Sequence, residues 1–89
     1  MSTLNILVVD DEEAMRESMA AWLENSGHEV ALAENGPKAL EMLDRQECDL
    51  VLLDIKMPGM DGLELLRRIK EHHPGIMVVM ITAYGSIES

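Results

Sequence analysis

Four short apolar runs alternate with three longer amphipathic stretches along the chain. Leu4 to Val9 is rich in β-branched residues and gives way to the acids Asp10, Asp11 and Glu12. Lacking polar alternation, this run predicts a strand buried on both faces, as in a parallel sheet. Asp11 or Glu12 then caps a helix running to about Ser26, with acids in a first turn that favours negative charge. Met15, Met19, Trp22 and Leu23 form its predicted apolar stripe, and Gly27 stops it. Val30 and Leu32 alternate with Glu29, Ala31 and Glu34, so His28 to Ala33 predicts an edge strand with one wetter face.

Asn35, Gly36 and Pro37 mark a turn and the start of a second helix, with Ala39, Leu40 and Leu43 on its inner face. Leu50 to Leu53 is a third buried run, and Asp54 stands at its carboxyl end. Lys56 to Gly62 (KMPGMDG) reads as a loop from its Pro and Gly content. Asp61 is the predicted N-cap of a third helix, in which Leu63, Leu66 and Ile69 line one face with Leu65 alongside. Pro74 and Gly75 end it after His72 and His73, both assigned to the helix C-terminus. Ile76 to Ile81 is a fourth strand, Thr82 to Gly85 a turn, and Ser86 the start of a further helix. Strands alternating with helices imply an α/β fold with a parallel sheet and right-handed crossovers. With no repeat or linker, residues 1–89 are expected to form a single domain.

Composition narrows this picture. The chain is 47% apolar but has one Trp, one Tyr and no Phe, so its core must be built from Leu, Ile, Val, Met and Ala, with the Met residues suited to adaptable packing and Trp22 as core or half-buried packing. A formal net charge of -10 disfavours nucleic acid and anionic membranes and favours a cation or a partner with a basic face. One cysteine, Cys48, excludes an intramolecular disulfide and fits a reducing cytoplasm. The N-terminus has no basic segment, and Ile6 to Val9 is too short for a signal peptide or membrane span.

In an open parallel sheet, ligands bind outside the carboxyl ends of the strands. The first run ends there in Asp10 and Asp11, the third in Asp54 and the fourth in Thr82. If those strands are neighbours, all four side chains meet in one cleft. Clustered carboxylates raise each other's pKa. A hard divalent cation such as Mg2+ relieves that repulsion and prefers carboxylate, water and phosphate oxygens. Asp54 is then the candidate nucleophile for a phosphoryl group, and Thr82 a hydrogen-bond donor to it.

VVDDEE at Val8 to Glu13, VLLDIKMPGMDGLELL at Val51 to Leu66 and MITAYGS at Met80 to Ser86 resemble the three leading motifs of response-regulator receiver domains. They occur in family order and spacing, and the similarity covers the whole chain. The TAYGS segment is more like receivers of the nitrogen-regulation and C4-dicarboxylate type, which are usually joined to an ATPase acting on the alternative-sigma-factor polymerase and to a DNA-binding domain.

The resemblance implies a flavodoxin-like doubly wound sheet, of family order 2-1-3-4-5. Here that becomes four strands ordered 2-1-3-4, three helices and the start of a fourth. It implies that Asp54 is the phosphoacceptor, that Asp11 coordinates Mg2+ directly, and that Asp10 acts through water. The backbone carbonyl of Lys56 would be a further metal ligand, Thr82 the switch hydroxyl, and Ala83 the backbone N–H beside the phosphate. Pro58 and Gly62 would shape the neighbouring loop. The implied partners are a sensor histidine kinase and a downstream, transcriptional effector, with no direct contact to nucleic acid or membrane and a cytoplasmic location. The implied role is signalling; the domain catalyses only its own phosphorylation and dephosphorylation. The family's fifth strand, with its lysine and aromatic switch residue, and its last helix have no counterpart before Ser89. The expectation is therefore a receiver truncated before its fifth strand, impaired in phosphorylation and switching. Its exposed apolar fourth strand would drive self-association into a homo-oligomer. The rival readings are a Mg2+-dependent aspartyl-phosphate phosphatase or phosphotransferase and a purely structural folding fragment. The phosphatase is disfavoured because Lys56 stands where such enzymes usually place a second Asp.

Overall fold

The apolar runs become strands β1 (Asn5–Val9), β2 (Glu29–Ala33), β3 (Leu50–Asp54) and β4 (Met77–Ile81), and the amphipathic stretches become helices α1 (Glu13–Asn25), α2 (Gly36–Arg45) and α3 (Gly62–His72). The computed structural model describes residues 3–54 and 62–81. Every strand pair is parallel and the sheet runs β2-β1-β3-β4, the order expected. Lys56, Pro58, the Asp61 cap, the turn from Thr82 with Ala83, and the helix start at Ser86 lie outside the described residues.

Period-two alternation splits the strands between two cores. On one face Leu7, Val9, Val51 and Leu53 pack with Ala39 and Leu43 of α2 and Leu65 and Ile69 of α3. On the other, Ile6 and Val8 pack with Leu23 of α1. Helices on both faces make the sheet doubly wound. Leu53, Leu65, Ile69, Val8, Val9 and Val51 are the largest fully buried side chains. Each contributes about 1.5–3 kcal/mol by its burial.

Two helix faces differ from expectation. Trp22 is 70% exposed and Met15 42%, while Ala20 and Leu23 are buried. Of the expected stripe Met15, Met19, Trp22 and Leu23, Met19 and Leu23 face inward, joined by Ala20, while Met15 and Trp22 do not. In α3, Leu63 is 64% exposed, and the buried face is Gly62, Leu65 and Ile69. Leu65 rather than Leu63 points inward because a spacing of four to Ile69 keeps both on one stripe. Gly62 is the first residue of the helix rather than part of the preceding loop.

The helix ends follow local chemistry. The Asn35 side chain accepts the Lys38 N–H at 2.8 Å and caps α2. Gly27, just past α1, has a φ of 95°, a conformation that favours glycine. His28 Nδ1 accepts the Leu4 N–H at 3.1 Å and Asp49 accepts the Asn5 N–H at 2.8 Å, tying down the entry to β1. His73 Nε2 meets Asp44 at 3.1 Å, joining the chain just after α3 to α2.

Candidate functional site

Strand register builds the site. Val9 pairs with Leu53, so Asp10 and Asp54, each one residue further on, stand side by side at the carboxyl rim. Asp54 in turn pairs with Ile81, the residue before Thr82. Both acids are pulled in by the apolar runs they terminate. Asp10 is 8% exposed and Asp54 9%, and they are the buried polar or charged residues among those described. Asp11 begins the turn into α1 and is exposed. One carboxylate oxygen from each of Asp10, Asp11 and Asp54 lies within 4.8 Å of the others.

The turn is organised around Asp10. Its N–H donates to the Ala33 carbonyl at 3.2 Å, extending the β1–β2 pairing by one residue. Its Oδ1 accepts the Glu12 N–H at 2.9 Å. One oxygen is engaged in this way. Burial pushes the Asp10 carboxyl above its ordinary pKa; the Glu12 N–H opposes this, and the nearby charges of Asp54 and Asp11 reinforce it. Three hard oxygen donors in this spacing, with charge they cannot disperse, suit a small divalent cation that keeps several waters.

Of the residues singled out in the sequence, the structure brings Asp10, Asp11 and Asp54 together. Lys56, Thr82 and Ala83 lie outside the described residues. The sequence reading missed Arg16, whose Nη1 donates to the Asp10 carbonyl at 2.8 Å. Its signal was there: it is the single Lys or Arg before Lys38, set in the acidic segment DDEEAMRE.

At the opposite, amino-terminal rim, Cys48 and Met42 border a cavity of about 160 Å³ with Ile6 and Val30. Burial pushes the Cys48 thiol up, and its S–H donates to the Leu50 carbonyl at 3.3 Å. A thiol so placed is a poor nucleophile and takes no part in the acidic site. No helix among the described residues is long and apolar enough to cross a membrane.

Comparison with known proteins identifies a family. A family model described as the response regulator receiver domain matches residues 6–89. The chain is 40% identical over 88 residues to the sporulation initiation phosphotransferase F of Bacillus subtilis, covering 99% of this chain and 71% of that protein. It is 45% identical over 86 residues to the transcriptional regulatory protein ZraR of Klebsiella oxytoca, covering 97% of this chain but 19% of the relative. Among solved structures, the response regulator protein TrrA of Thermotoga maritima, in complex with Mg2+-BeF, superposes with a TM-score of 0.88 at 41% identity, covering 93% of this chain and 72% of that one.

Proposed function

The chain belongs to the response regulator receiver domain family, and from that premise we propose that residues 1–89 act as one phosphoacceptor unit with Asp54 as the acceptor. The observation that carries this reading is the convergence of Asp10, Asp11 and Asp54 within 4.8 Å at the carboxyl rim. Asp10, Asp11 and Asp54 would hold Mg2+, with the Lys56 carbonyl as a further ligand. The bound ion would neutralise charge building up on the transferring phosphoryl oxygens. The TrrA relative, solved with Mg2+-BeF, supports that cofactor.

In the transfer, an Asp54 carboxylate oxygen attacks the phosphorus of a phosphohistidine on a sensor kinase. The P–N bond breaks, its electron pair stays on the imidazole nitrogen, which takes a proton from solvent, and an acyl phosphate forms on Asp54. Burial of Asp54 at the end of β3 would restrict the direction of attack and limit water. The Thr82 hydroxyl and the Ala83 N–H would then donate hydrogen bonds to the oxygens of the phosphoryl group held on Asp54. The role is relay in the cytoplasm, not turnover of outside substrates.

The ZraR relatives support an attached transcriptional effector of the nitrogen-regulation type, although the chain spans about a fifth of their length. The sporulation phosphotransferase supports a second destination, onward transfer to another protein. Self-association through the exposed residues of β4 belongs to the same proposal.

Incubation with Mg2+ and a small acyl phosphate, followed by intact mass, tests the reading. The expected result is a gain of one phosphoryl group that is absent from Asp54→Ala and from chelator-treated protein. A gain that survives Asp54→Ala contradicts it.

A further inference from the structure

Arg16 is half-buried on α1 and lies outside both core clusters. Its Nη1 donates to the Asp10 carbonyl at 2.8 Å, and its backbone N–H donates to the Glu12 carbonyl at 3.0 Å. The Asp10 N–H and Oδ1 are also engaged, with the Ala33 carbonyl and the Glu12 N–H. The carbonyl that Arg16 grips belongs to the peptide unit joining Asp10 to Asp11. That unit is planar, so fixing the carbonyl direction fixes the plane and the direction in which Asp11 leaves it.

We propose that Arg16 is a positioning residue for the cation site: it locks the Asp10–Asp11 peptide so that both carboxylates already face Asp54 before a cation arrives. This rests on the reading of the three acids as a Mg2+ site. A guanidinium beside carboxylates also has the opposite tendency, since its charge repels an incoming cation. The two roles predict opposite signs when Arg16 is removed. The hydrogen bond of the guanidinium goes to the backbone carbonyl of Asp10, so Arg16 acts on the backbone of the turn. Outer partners of this kind orient ligands and set metal affinity without touching the ion.

The test is calorimetric Mg2+ titration of the 89-residue chain, with Arg16→Met and Arg16→Lys, alongside hydrogen exchange at the Glu12 amide in metal-free protein. Positioning predicts that Arg16→Met binds Mg2+ about tenfold more weakly, the lower end of the cost of losing such a partner. Arg16→Lys, which keeps a donor and the charge, restores affinity. Glu12 exchange accelerates in Arg16→Met and not in Arg16→Lys. Equal or tighter Mg2+ binding by Arg16→Met overturns the positioning role, and unchanged Glu12 exchange overturns the lock itself. A wild-type chain that binds no Mg2+ overturns the reading of the acids instead, so the two failures are distinguishable.

Discussion

Asp10 is where burial and charge conflict most directly. Its carboxyl is raised by burial first, with Asp54 and Asp11 adding to the shift. The folded chain therefore binds this proton more readily than the unfolded chain does. By linkage, the contribution of Asp10 to metal-free stability falls as pH rises through the raised folded pKa, and at neutral pH it is unfavourable. Asp10→Asn is expected to raise the metal-free thermal midpoint at pH 7 and to flatten the decline in stability just above the ordinary carboxylate range. A lower midpoint at pH 7 would count against this. Asp10 and Asp54 were legible in the sequence because each ends an apolar run, which fixes both its burial and its place on the rim, and Asp11 because it follows Asp10 directly. Arg16 was not, because a hydropathy reading of α1 skips the cation at the head of the inward stripe that continues through Ala20 and Leu23. Trp22 misled because its spacing from Met15 and Met19 suggested core or half-buried packing, while its position on the helix faces solvent.

Among the elements, α1 and α2 owe their ends to single residues. Gly27→Ala places a Cβ in open space, so the cost is backbone strain alone; it should destabilise the fold by about 1 kcal/mol. Asn35→Ala removes the acceptor for the Lys38 N–H and should cost about 1 kcal/mol as well. Urea unfolding measures both, and because the sites do not share partners the double variant should show the sum. These punctuation points were readable in advance, since glycine after a helix and Asn-Gly-Pro before one have local causes. The inner face of α3 was less so. Leu63, Leu65 and Leu66 crowd adjacent positions, and only the packing of the helix on the sheet selects Leu65 for full burial.

For the whole molecule, the two faces of the sheet are unequally covered. Val78 and Met80 of β4 pack against the core shared with α2 and α3. On the α1 side, Met77 is 64% exposed and Val79 42%, beside partly buried Leu50 and Leu52. Such a strand invites pairing or stacking with a second copy. Light scattering across a concentration series should show reversible association that Val79→Lys abolishes; a monomer at every concentration would contradict this. The alternation of strands and helices was legible because buried apolar runs alternate with amphipathic stretches, while which runs are neighbours, and so the meeting of the three acids, came as what the resemblance to receiver domains implies. The most direct test of that meeting is a crystal structure of the chain grown with Mn2+ in place of Mg2+ and phased on the manganese signal. The account predicts one anomalous peak bonded to Asp54 and Asp11, with Asp10 alongside. A peak elsewhere, or Asp54 turned away from an ion held by other residues, would contradict it.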